Sequence, residues 1–92
     1  MVNAIVLINV ERGSVNEVAQ QLVELKGVTE VFSVAGRYDL VAVLRTPTNE
    51  RIAALVTQQI MDIEAITNTE TLLAFRAFSK FDLERMFSVG LE

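Results

Sequence analysis

The groups in this 92-residue chain best able to do chemistry sit in two short stretches, Gly36-Arg37-Tyr38-Asp39 and Thr67-Asn68-Thr69-Glu70-Thr71. In the first, Gly36 permits positive φ and close backbone approach. Backbone N–H groups beside it can meet a carboxylate, while Asp39 can hold an ammonium. The same four residues also make an ordinary turn with Asp39 bonded to its own backbone, and on residue type alone that reading is favoured. In the second stretch, Thr67, Thr69 and Thr71 share one face of an extended segment, a ladder of hydroxyls that donate or accept. Threonine is also simply a good strand former, which is the plainer explanation. The carboxylates Glu11, Asp39, Asp62, Glu64 and Glu70 are scattered, and no spacing sets two of them together for acid–base work or for a metal.

Composition removes most catalytic chemistry. The chain has Cys 0 and His 0, so it offers no thiolate nucleophile, zinc–thiolate site, imidazole base or Ser-His pair. No Gly-rich run precedes a helix, so there is no phosphate loop. We expect no catalytic residue, no metal and no cofactor. Lys+Arg 8 against Asp+Glu 12 leaves a net charge of −4, the wrong sign for a domain that grips nucleic-acid backbones. No apolar run is long enough for a membrane span, and Met1 to Val10 lacks the basic start of a signal peptide. The expected location is cytoplasmic.

The elements that must position these residues follow from periodicity. Val2 to Val10 reads as a strand covered on both faces, with Val6 and Ile8 on one and Ile5 and Leu7 on the other. Ser14 and Glu17 have capping-box spacing, and Val15, Val18, Ala19, Leu22 and Val23 form the stripe of a helix that Gly27 ends. Val28 to Ala35 is a second strand, and Leu40 to Leu44 a third, joined as a hairpin by the Gly36–Asp39 turn. Pro47 ends the third strand and Thr48 caps a second helix with Ile52, Leu55, Val56, Ile60 and Ile63 inward. A fourth strand runs from Ile66 to Phe78.

The order β-α-β-β-α-β is a ferredoxin-like α+β sandwich, a four-stranded antiparallel sheet with both helices on one face. Residues 1–78 form the domain and 79–92 a tail. The second face of the sheet is apolar as well, and the chain is 51% hydrophobic with a mean hydropathy of +0.38. A soluble monomer does not expose so large an apolar face. Phe81, Leu83, Met86, Phe87, Val89 and Leu91 of the tail could cover part of it, but one short tail does not cover four strands. Two copies packed sheet to sheet as a homodimer are therefore expected, with the tail adding a further contact.

The run Leu25-Lys26-Gly27-Val28, then Val31 to Val34, Gly36-Arg37-Tyr38-Asp39-Leu40-Val41, and Ile66 with Thr69-Glu70-Thr71-Leu72-Leu73 resembles the effector-binding (RAM) domain of Lrp/AsnC transcription regulators. The resemblance covers Val2 to Phe78. It implies dimers formed through the sheets and assembled into octamer-like rings, with an amino acid or related small molecule bound between subunits. Carried over, the ligand-binding residues are Gly36, Arg37, Tyr38 and Asp39 on one side, with Thr69 and Thr71 on the other. Backbone N–H groups and threonine hydroxyls would take the ligand carboxylate, and Asp39 or backbone carbonyls its ammonium. Family members typically carry an N-terminal helix-turn-helix domain that this sequence lacks, so no direct nucleic-acid contact is expected. Where the family often has Pro-Gly before the last strand, this chain has Glu64-Ala65, which alters the loop into the threonines.

The leading function is thus a stand-alone, amino-acid-binding oligomerisation module that could also join a full-length Lrp/AsnC regulator in mixed assembly. Two alternatives belong to other classes: an assembly-only module with no ligand, and a small cofactor-free enzyme on the related dimeric α+β barrel. Such enzymes need reactive groups inside the barrel, and here Arg45 and Arg76 are the few polar candidates on strands.

Overall fold

Alternation in the first strand sorts the whole molecule into two faces. In the computed structural model, which describes residues 1–80, β1 (Val2–Val10) buries Ala4, Val6 and Ile8 completely. It lies inside an antiparallel sheet of order β2-β3-β1-β4, with β2 at Val28–Ser33, β3 at Leu40–Thr46 and β4 at Ile66–Ala74. Opposed residues of an antiparallel pair share a face. The rungs Ala4 to Leu44, Val6 to Ala42 and Ile8 to Leu40 therefore stack one apolar layer on the helix side. Val18 and Leu22 from α1 (Val15–Val23), with Ile52 from α2 (Asn49–Ala54), close over it, joined by Leu55 and Ile60. The expected ferredoxin-like α+β sandwich is present.

The helix starts differ in how they are capped. Thr48 is extended (φ −139°, ψ 160°), and its hydroxyl accepts the Arg51 N–H at 3.2 Å. Ser14 is not extended (φ −104°, ψ 7°) and its side chain makes no capping bond. A capping side chain needs extended backbone to reach back over the first turn, so the expected Ser14–Glu17 box does not form. The stripe of α1 is also narrower than its spacing suggests, since Val23 is 51% exposed.

Beyond Ala54 the second helix continues as a π-helical segment over Leu55–Ile60, with the Met61 N–H bonded to the Val56 carbonyl at 3.0 Å. The extra residue in the turn lets Leu55 and Ile60 both reach the core, and Val56 and Ile63 pack at its edge.

Strand ends follow from their partners. β4 stops at Ala74 rather than Phe78, because its last rung is Asn3 to Ala74 and β1 itself begins only one residue earlier, at Val2. β2 ends at Ser33, opposite Leu40, and β3 runs on to Thr46, opposite Val2. Phe75 and Phe78 are exposed, with the Arg76 guanidinium 5.9 Å from the Phe78 ring centre. The apolar tail residues named above lie outside the described residues.

The sheet's other face carries Asn3, Ile5, Leu7 and Asn9 from β1, with Val41, Val43 and Arg45 from β3. Phe32 on β2 and Leu72 on β4 extend it to both edges. Ile5 is 38% exposed, Phe32 48% and Leu72 46%. Among the described residues no element covers this face, and its centre is apolar.

Candidate functional site

The Gly36–Asp39 turn is held by the strands on either side of it. The Val34 N–H donates to the Asp39 carbonyl at 3.0 Å, which closes the β2–β3 hairpin. Gly36 sits at φ +130°, a conformation that side-chain-bearing residues rarely adopt, with open space where a Cβ would stand. Its requirement is therefore conformational and not one of room.

Asp39 ties the turn to the central strand. Its N–H donates to the Ile8 carbonyl at 2.9 Å, extending the β3–β1 ladder. Its Oδ2 then accepts the Val10 N–H at 2.9 Å, just past an irregularity in pairing at Asn9 and Val10. The β1–β3 rungs end at Ile8 and Leu40, so the Val10 N–H lies past the last rung on that side, and the Asp39 carboxylate supplies its acceptor. Residue type alone does not foretell this bond: the carboxylate grips the backbone of a strand 29 positions away, not that of its own turn.

Tyr38 makes the second link. Its hydroxyl donates to Oε1 of Glu70 at 2.8 Å. The Tyr38 pKa is raised above its ordinary 10.0, first because this bond favours the protonated phenol, then by desolvation and by the Glu70 charge. Glu70 lies opposite Leu7, so the pair stands at the margin of the uncovered face. By spacing Glu70 is one of five scattered carboxylates with no assigned partner; the usable signal is its position between two threonines, which sets it on the opposite face from them.

The threonines themselves point to the helix side. Thr69 is opposite Ile8 and Thr71 opposite Val6, and both of those β1 residues are core. The Thr69 hydroxyl donates to the Met61 Sδ at 3.5 Å, while Thr71 is exposed. Arg37 is exposed in the turn. Within one chain, then, the Tyr38–Glu70 pair and the Thr69/Thr71 hydroxyls stand on opposite faces of β4. The Glu64-Ala65 loop before that strand is fixed by the Glu11 N–H on the Ala65 carbonyl at 2.8 Å.

Other chemistry is sparse. Among the described residues no three His, Cys, Asp or Glu gather as a metal site, and no helix is long and apolar enough to cross a membrane.

A family model described as the Lrp/AsnC ligand binding domain matches residues 3–82. The chain belongs to the Lrp/AsnC ligand-binding domain family. Among solved structures, this Lrp/AsnC domain is similar to TTHA0845 from Thermus thermophilus at 44% identity and TM-score 0.82, over 87% of this chain and 100% of that one. It is 32% identical over 73 residues to the HTH-type transcriptional regulator FL11 of Pyrococcus furiosus, covering 79% of this chain and 48% of that protein. The chain thus spans about half the length of the curated relatives it matches. The transcriptional regulator NMB0573 of Neisseria meningitidis, solved as an L-Met complex, shares the fold at TM-score 0.76 and 10% identity, over 85% of this chain and 52% of that one. The curated relatives of this Lrp/AsnC domain are regulators of transcription.

Proposed function

We propose that this Lrp/AsnC domain is an effector-binding and assembly module that works as a homodimer, sheet against sheet, in the cytoplasm. The observation that carries the reading is the uncovered apolar face built from Ile5, Leu7, Phe32, Val41, Val43 and Leu72. A face of this kind is buried by a second copy through its hydrophobic effect. Its margin carries the Tyr38–Glu70 pair, which connects the turn to whatever covers the face. That TTHA0845 is matched along its whole length supports a domain of this size folding as one unit.

The ligand is an amino acid or a close relative, bound between subunits by Gly36, Arg37, Tyr38 and Asp39 from one copy and Thr69 and Thr71 from another. The L-Met complex of the fold relative supports this class of ligand. Two geometric facts support a site shared between copies. Tyr38 and the threonines lie on opposite sides of β4 in one chain, so a small molecule meets both sets only where two chains adjoin. Asp39 gives one oxygen to the Val10 N–H and Glu70 one to the Tyr38 hydroxyl, so each keeps a second oxygen for a ligand ammonium. A ligand contacting two subunits stabilises their association by the same free energy with which association strengthens its binding. Dimers would assemble further into rings and could exchange with a full-length Lrp/AsnC regulator.

A thermal-shift screen of the purified protein against the free amino acids at millimolar concentration tests the ligand. Binding to the folded state alone at a hundred times Kd adds about 2.7 kcal/mol, a readily measured rise. A selective rise supports an effector site; a flat response to all of them removes it and leaves the assembly-only reading.

A further inference from the structure

A second cleft lies at the far end of the sheet from the Gly36–Asp39 turn. The register places Thr46 and Arg45 beside Val2 and Asn3, and Leu40 beside Ile8, so the two ends are about 20 Å apart along β1. The cleft has a volume of about 660 Å³, and Lys26 and Arg51 stand beside a wall formed in part by Val28, Pro47 and Leu55. No carboxylate lines it. Neither of these two cations takes part in an ion pair among the described residues, although the chain carries a net charge of −4. Two like charges at one opening favour the entry of an anion.

The cations are mounted on firm supports. The Arg45 side chain itself turns to the uncovered face, where its Nε donates to Oδ1 of Asn3 at 2.9 Å. The Arg45 N–H donates to the Gly27 carbonyl at 2.8 Å, pinning the turn that carries Lys26 against β3. Gly27 is at φ +103°, and a Cβ there would stand 3.0 Å from Leu55 Cδ2 and 3.2 Å from Thr46 Cγ2. Only glycine lets this turn come so near the helix. Arg51 sits in the first turn of α2, whose start is fixed by the Thr48 cap. Leu55 and Gln59, both on the π-helical segment, complete the wall.

We propose that this cleft binds a small polyanion, a phosphorylated or polycarboxylate metabolite with two or more negative charges and a partly apolar body. The site is separate from the effector site proposed above and does not depend on it. Its size and its short arc of charge fit a small molecule and not a nucleic-acid backbone, which needs a long basic track.

Isothermal titration of the purified protein with pyrophosphate and with citrate, against sodium chloride at matched ionic strength, tests the proposal. Saturable binding of pyrophosphate above citrate assigns the phosphorylated class, and the reverse order the polycarboxylate class. Lys26→Gln and Arg51→Gln should each weaken binding about tenfold, the loss expected for one charge-assisted hydrogen bond. Arg12→Gln, at the other end of β1, should leave it unchanged. The proposal is overturned if neither anion binds beyond the chloride control, or if Arg12→Gln weakens binding as much as Arg51→Gln. Tighter binding of a single-stranded oligonucleotide than of either small anion would overturn it as well.

Discussion

The hydroxyl of Tyr38 and the carboxylate of Glu70 meet at 2.8 Å across 32 positions of sequence, joining the β2–β3 turn to the edge strand β4. That bond ties the two chemistry-bearing stretches of the chain to the margin of its uncovered face, and it is directly observable. The sequence contains one tyrosine, so the ultraviolet absorbance of phenolate reports Tyr38 alone. Its titration midpoint should lie above the ordinary 10.0, because the bond to Glu70 favours the protonated phenol. Glu70→Ala should return it toward 10.0. A midpoint that does not move on that substitution would dissociate the two groups in solution.

The same shift has a consequence for stability. A phenol whose pKa is raised on folding holds its proton more tightly in the native state. Its contribution is fully present below the unfolded value of about 10 and is lost as pH rises through the folded one. Urea denaturation between about pH 9 and 11 should therefore show a steeper loss of stability for the natural sequence than for Tyr38→Phe. Near neutral pH the same substitution should change stability little, since the bond is exposed.

Asp39 behaves differently from what its residue type suggests. As a ligand contact alone it could be truncated without harm to the fold. Because Oδ2 accepts the Val10 N–H in a partly buried setting, Asp39→Ala should destabilise the protein by about 1–3 kcal/mol, the range for an unsatisfied buried donor. Asp39→Asn keeps an acceptor oxygen and should recover part of the loss. Equal stability of Asp39→Ala and the natural protein in urea would show that the bond contributes nothing.

The glycines offer a paired comparison. Gly36→Ala meets open space at φ +130°, whereas Gly27→Ala meets Leu55 and Thr46 at φ +103°. The first should lose about 1–2 kcal/mol from backbone conformation alone. The second should lose more, because a steric clash is added to the same strain. Denaturation midpoints of the two variants would rank them, and the opposite order would contradict the close approach at Gly27.

Much of the fold is legible in the sequence because its signals are local. The alternation of Val2–Val10, the helical stripe from Val15 and the hairpin around Gly36 each need only neighbouring residues, and the β-α-β-β-α-β order then limits the topology. Thr48 reads correctly as a cap for the same reason. The first helix, however, ends at Val23 and not at the expected stop, Gly27. What escapes is set by distant partners. The end of β4 at Ala74 is fixed by the start of β1, and the Asp39 grip on Val10 depends on where the β1–β3 rungs end, 29 positions away in sequence. Leu73 shows the limit well. Its apolar run suggests the uncovered face, yet it stands opposite Ala4 on the helix side; the face that Leu72 and Val43 share is decided by register alone.

That register makes the assembly testable with one substitution. Val43 is half-buried on the uncovered face, opposite Ile5, so a charge there should abolish sheet-to-sheet pairing and leave each subunit's own core intact. Sedimentation velocity of the natural protein and of Val43→Asp is the most direct test of the account. It predicts a dimer or a larger multiple for the natural chain, and for Val43→Asp a monomer with unchanged far-ultraviolet circular dichroism. A natural chain that sediments as a monomer, or a Val43→Asp variant that assembles like it, would contradict the account.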